Sequence, residues 1–231
     1  MKDFNLKEIA ETVVYEQSNS RNREEPTPSL WQIDLERALW ILADCLPDDH
    51  HSDIVVTGGG VLILFHNISI GTTDIDGYER FQKEFDDILL DGIYDTVQTA
   101  QLENLALPPD WFNNYMLECI QPNDLYNPDL MEKNLDEDLR YDYVNENGVN
   151  TLSLIPVTLG ALLFSKFEAR RDKDLRHARI ICALMDLRSE EEIEDVFFEV
   201  CPEWADSYNY RAMHNTVHLF YVDWLNEYKR D

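Results

Sequence analysis

Few folds accommodate a β-branched run, Asp53-Ile54-Val55-Val56-Thr57, that stops abruptly on three consecutive glycines, Gly58-Gly59-Gly60. The run favours a pleated backbone and the glycines end it, which predicts a buried strand entering a tight bend. Val61 to His66 is brief and apolar and reads as the first turns of a helix. Gly71-Thr72-Thr73 then leads to Asp74-Ile75-Asp76-Gly77-Tyr78, whose acid/apolar alternation has the period of a second strand. Residues two apart on a strand share a face, so Asp74 and Asp76 project together while Ile75 turns into the core.

That order suits one kind of chemistry. Two carboxylates on one face can grip a divalent ion, and Mg²⁺ typically takes one or two carboxylates plus waters and substrate phosphates. Glycines at the bend let a backbone N–H approach a phosphate, and the N-terminus of the following helix favours the anion. The combination fits metal-assisted attack at the α-phosphate of a nucleotide. The chain also holds 46 acidic residues, so an Asp-x-Asp arises readily by chance, and a Gly-Gly pair alone says little. Taken by themselves, the residues leave both readings open.

The rest of the chain is mostly helical. Leu6 to Tyr15 is amphipathic, and the polar run Gln17 to Ser29 reads as a linker or arm. A stripe from Leu30 to Cys45 predicts a helix that Ser29 could cap. Further helices are expected over Tyr78 to Asp91 and Ile93 to Leu105, and from the break at Leu107-Pro108-Pro109-Asp110-Trp111 through Cys119. Gln121 to Asp138 reads as an acidic surface loop. Leu139 to Pro156 has two β-rich halves around Asn147-Gly148, a hairpin dipeptide. Helices follow over Thr158 to Arg170 and Lys173 to Leu187, and Ser189-Glu190-Glu191-Glu192 opens another with a capping box. Two final helices flank Pro202-Glu203-Trp204, and the aromatics from Trp204 to Tyr228 read as their core in preference to a protein-binding surface.

With 231 residues the chain supports one or two domains. It can bury roughly 70% of its unfolded surface. Recurrent aromatics exclude disorder by composition. No stretch approaches the ~20 apolar residues of a membrane span, and the first residues lack a signal core, so the cytoplasm is the expected compartment. Cys45, Cys119, Cys182 and Cys201 are too scattered for a disulfide scaffold and are read as buried thiols; zinc is not expected at His50-His51 or at His214 and His218. The formal charge of −27 disfavours bulk nucleic-acid binding and fits either solubility or capture by a basic partner protein.

The segment VVTGGGVLILFHNISIGTTDIDGY, Val55 to Tyr78, resembles the signature of the DNA polymerase-β-like nucleotidyltransferase superfamily. More narrowly, it is similar to nucleotidyltransferase-like proteins related to the abortive-infection (AbiEii-type) toxins of bacterial toxin–antitoxin systems. Leu107-Pro108-Pro109-Asp110-Trp111-Phe112-Asn113 resembles a block those proteins carry, and Lys166 to Asp174 resembles their K-x-x-A-x-R-x-K-D segment. The resemblance runs over roughly residues 29 to 187 in the same order.

The resemblance implies an α+β fold, a small mixed sheet flanked by helices, with a C-terminal helical subdomain. It divides the chain into an arm (1–28), a nucleotidyltransferase-like domain (29–187) and a helical extension (188–231). It implies Mg²⁺ on Asp74 and Asp76, and an NTP held by Gly59, Gly60, Thr73, Lys166, Arg170 and Lys173. Asp174 would orient a lysine or the nucleotide, and Asp74, Asp76, Lys166 and Asp174 would be catalytic. The implied reaction moves a nucleotidyl group to a hydroxyl on protein, RNA or a small molecule, with an antitoxin-like protein as partner. The charge argues against tRNA as the acceptor.

Two departures bear on turnover. No basic residue precedes Asp74 in Ser69-Ile70-Gly71, and no acid lies in Thr151-Leu152-Ser153-Leu154, leaving Asp142 as a substitute third carboxylate. A catalytically degenerate fold that binds a nucleotide or a protein is therefore the competing expectation. The basic stretch Lys166 to Arg179, with His177 within it, reads equally as a solvated helix face.

Overall fold

The computed structural model describes residues 30–82, 84–120, 124–207 and 209–228. The amphipathic stretch Leu6 to Tyr15, the polar run that follows it and the Ser29 cap fall outside them. The described residues form two compact units, one of residues 30–119 and 135–157, the other of 120–134 and 158–228. The fold is α+β, as expected.

The first unit is built on a mixed sheet of five strands: β1 (Ser52–Thr57), β2 (Ile75–Glu79), β3 (Phe112–Asn113), β4 (Tyr141–Val144) and β5 (Asn150–Pro156), in the order β3-β2-β1-β5-β4. Its central strand, β1, runs antiparallel to β2 and parallel to β5. Both Val55 and Val56 are fully buried, so β1 is covered on its two faces, which explains a β-branched run without polar alternation. The expected hairpin is β4–β5, turned at Gly148 (φ 79°), with the Asn145 carboxamide oxygen accepting from the backbone N–H groups of Asn147 and Val149.

Helix α1 (Gln32–Cys45) lies against β4 and β5, with the Trp40 and Tyr143 rings edge to face at 5.2 Å and the Thr151 hydroxyl donating to the Ala43 carbonyl. Helix α2 (Gly58–Leu64) starts directly on the glycines and packs on β1 and β2. Helix α3 (Asp87–Leu102) packs on α1 through Leu89, Gly92, Ile93, Thr96 and Ala100; a Cβ on Gly92 would stand 2.9 Å from a Leu46 methyl. Short α4 (Tyr115–Cys119) follows β3.

The second unit is helical: α5 (Pro128–Lys133), α6 (Leu159–Ala169), α7 (Asp172–Leu184), α8 (Glu190–Val200) and α9 (Tyr210–Tyr228). Phe164, Phe167 and Trp204 each meet Phe197 edge to face, at 5.3, 5.4 and 5.2 Å. The Ser189 capping box forms as expected. His214 and His218 on α9 pair with Glu194 and Glu190 on α8, a structural clamp between two helices.

Four local expectations are corrected. No helix spans Tyr78 to Asp91: β2 continues to Glu79, and α3 starts only after Asp86, whose carboxylate accepts from the Leu89 N–H. The helix expected from Leu107 through Cys119 is interrupted by β3, which pairs with β2 and buries Trp111 and Phe112. The loop Gln121 to Asp138 contains α5, capped by Asn127 and anchored by buried Leu130 and Met131. Cys182 and Cys201 are buried, but Cys45 is half-buried and Cys119 exposed, because α4 buries no side chain.

Candidate functional site

The glycine bend and Asp76 meet in the first unit. β1 ends at Thr57, which lies opposite Asp76 in the antiparallel register. The chain then turns through Gly58 with φ at +68°, a conformation in which side-chain-bearing residues are strained. A second constraint acts at this residue: a Cβ there would stand 2.3 Å from Asp76 Oδ2. Only the absence of a side chain lets the backbone lie against that carboxylate. Gly60 is less restricted, since its Cβ would meet Ile75 and Val56 at an ordinary 3.5 Å. Gly59 is half-buried in the first turn of α2.

Asp74 sits one residue before β2 and Asp76 within it, two apart with fully buried Ile75 between them. Both carboxylates are half-buried. Asp74 is held by two donors: the Thr73 hydroxyl to Oδ1 and the Asn113 Nδ2 to Oδ2, each at 3.1 Å. Asn113 is buried and fixed in turn, donating to the Asp110 carbonyl at 3.0 Å and accepting from the Tyr115 N–H at 3.0 Å. β3 thus supplies a side chain that aims Asp74. Sequence reasoning missed Asn113 because it placed the residue in a helix; its signal was an amide beside two aromatics in Trp-Phe-Asn-Asn. Thr73 is exposed and engaged with Asp74.

The site lies where β1 and β5 end and β2 begins, and the carboxyl ends of parallel strands are the usual ligand-binding edge of a sheet. Asp142 does not join it. Its partner across β4–β5 is Ser153, and Ser153 pairs with Asp53, at the opposite end of β1 from Thr57. There Asp142 accepts from the Ser153 hydroxyl at 2.5 Å and from Arg140 Nε at 3.0 Å. The Ser153 hydrogen bond, with Arg140 added, holds its carboxyl below the usual range. Among the described residues no group of three or more His, Cys, Asp or Glu side chains is arranged to hold a metal ion. The donor set here is two carboxylates.

The expected phosphate-facing residues belong to the second unit. Lys166, on α6, is 8% exposed and Asp174, on α7, is 1% exposed. Lys166 Nζ donates to Asp174 Oδ1 at 3.3 Å, and the Arg171 guanidinium donates to both Asp174 oxygens. Burial alone would raise the Asp174 carboxyl, but Arg171 and Lys166 more than reverse this and hold it below the ordinary value. Arg170 closes α6 in the left-handed conformation (φ 55°) and is exposed, as is Lys173. The carboxylate partner besides Lys166 is therefore Arg171, not Arg170 or Lys173.

His177 lies one turn beyond Asp174, with both ring nitrogens buried and unpartnered. Burial, with Lys166 beside it, pushes its pKa down to about 3. An unfolded histidine protonates near pH 6.5, so between there and about pH 3 the unfolded chain binds a proton that the folded one does not. Stability should therefore fall as pH drops through this window, by about 2–3 kcal/mol between pH 7 and 4.5. Urea unfolding at both pH values should show that gap shrinking in His177→Gln. An undiminished gap would assign the acid sensitivity to other groups.

No helix among the described residues is long and apolar enough to cross a membrane. No protein-family model, curated protein or solved structure matches this chain.

Proposed function

We propose that the chain is a Mg²⁺-dependent nucleotidyltransferase that moves a nucleotidyl group from an NTP to a hydroxyl, acting in the cytoplasm with a protein partner as a toxin of a toxin–antitoxin pair. The observation that carries this reading is the seat of Gly58, at positive φ, where an added Cβ would collide with the Asp76 carboxylate, two residues from Asp74. Two carboxylate donors at a glycine bend fit the hard, oxygen-seeking Mg²⁺, which leaves most of its sites to water and phosphate oxygens. Asp74 and Asp76 would hold the ion, whose charge when bound offsets that of the phosphates. Asn113 keeps Asp74 in place. Lys166, Arg170 and Lys173 lie in the second unit, where Asp174 engages Lys166, so the reading rests on the first unit's carboxylates and glycine bend alone. A protein or small-molecule acceptor fits the −27 charge better than a polynucleotide.

Transfer of label from each α-labelled NTP to cell protein, RNA and small molecules tests the reading. Asp74→Ala/Asp76→Ala should reduce labelling by at least about a hundredfold, and Asn113→Ala by about 10–100-fold, as outer-shell partners of metal ligands do. Labelling that survives the double substitution would refute the assignment.

A second reading, a nucleotide- or protein-binding module without turnover, is favoured by one observation: Asp142 lies at the far end of β1, bound to Arg140 and Ser153. Nucleotide binding by calorimetry with no labelling from any NTP would select it.

A further inference from the structure

The outer face of α3 is unpartnered within its unit and carries two neighbouring i, i+4 ridges. One holds Leu90, Tyr94 and Leu102, exposed by 49, 66 and 85%; the other holds Asp87, Asp91 and Asp95, all exposed. None of these three carboxylates has an ion-pair partner among the described residues. The surrounding chain offers little to neutralise them: from Glu84 through Glu132 the sequence contains no Lys, Arg or His. Like charges at i, i+4 spacing repel along a helix, and a facing row of cations would relieve that repulsion.

We infer that this face of α3 docks a basic amphipathic helix of another protein, its apolar residues against Leu90, Tyr94 and Leu102 and its Lys or Arg side chains against Asp87, Asp91 and Asp95. The α3 surface is a ridged helix face rather than a cavity, so it fits a second helix better than a small molecule. A second copy of this chain would bring another −27 charge against the same acids, and an anionic lipid surface would be repelled likewise. The inference does not depend on the nucleotidyltransferase reading.

The test uses the full chain and a synthetic helical peptide of Lys and Leu, about 18 residues or five turns long, with a Glu-for-Lys peptide as control. Titration followed by amide NMR should shift the resonances of α3, and the Glu peptide should shift none. Asp87→Lys/Asp91→Lys/Asp95→Lys should weaken binding at least about tenfold, and Leu90→Ala/Tyr94→Ala by a similar factor. Asp49→Lys/Asp138→Lys/Asp223→Lys makes the same change in net charge at exposed acids elsewhere, and should weaken binding less than about threefold. Equal weakening by the two charge reversals, or shifts confined to other helices, would overturn the proposal. So would a dimer in sedimentation that Leu90→Asp/Tyr94→Asp dissolves, because the face would then belong to a second copy.

Discussion

Asp174→Ala is expected to cost about 3–5 kcal/mol of folding stability, because it takes a buried carboxylate away from the Lys166 ammonium in the interior of the second unit. The side chains of Lys166 and Asp174 are only 10% and 1% exposed. Arg171, the other partner, is well exposed and can turn to water when the carboxylate goes, whereas Lys166 cannot. Replacing both members with apolar groups, as in Lys166→Met/Asp174→Leu, removes two desolvation penalties together with one attraction, and should lie within about 1–2 kcal/mol of wild type. The pH dependence has a definite sign. A carboxyl held below its unfolded value stabilises the fold above about pH 4 and loses that contribution as pH falls further. Urea unfolding of the single and double variants checks this directly. A cost below about 1 kcal/mol for Asp174→Ala would mean that Lys166 finds water without its partner.

Gly58→Ala should lose about 2–4 kcal/mol, the sum of two separable effects. Placing a Cβ on a residue at positive φ costs about 1–2 kcal/mol, and the remainder comes from displacing a carboxylate oxygen 2.3 Å away. Gly148→Ala separates the two, since φ there is +79° with open space around the added methyl, and only the backbone cost of about 1 kcal/mol is expected. In the Gly58→Ala background, Asp76→Ala should recover part of the loss. A double-mutant cycle with a coupling of about 1 kcal/mol or more would establish that the glycine is there to admit the carboxylate. Additive effects would leave Gly58 as a turn residue alone. Because the methyl moves Asp76, any nucleotidyl transfer of the kind proposed above should fall along with stability.

What was legible beforehand was what local chemistry decides. The strand from Asp53 to Thr57, the glycine bend, the Asp74–Tyr78 strand, the Asn147-Gly148 hairpin and the Ser189 capping box each rest on neighbours in sequence, and each is present within a residue or two. What was illegible depends on distant partners. Phe112 and Asn113 form a strand only because β2 offers them an edge, and nothing in Asp110-Trp111-Phe112-Asn113 announces this. Phe85 and Ile88 mimic a helical stripe from Tyr78 onward, yet Asp86 caps α3 and the strand has already taken Tyr78 and Glu79.

The candidate site shows the same division. The resemblance points to Gly59 and Gly60 at the bend, whereas the glycine against the Asp76 side chain is Gly58, one residue earlier. Which oxygen Asn113 holds and which arginine joins Lys166 on Asp174 depend on side-chain packing that a linear pattern does not encode. Asp142 was misleading for a related reason: proximity in sequence to β5 says nothing about which end of the sheet it occupies.

The pairing of β1 with β5 joins Ser52 to Leu152, about a hundred positions apart. The residues between them include the whole of α5, which belongs to the other unit. During synthesis, β1 must therefore wait with one flank unsatisfied until most of the chain has left the ribosome. A Val-rich segment waiting in that way can be captured by a neighbouring nascent strand, so recovery of native protein should be governed by expression rate and chaperone supply more than by the final stability of the sheet.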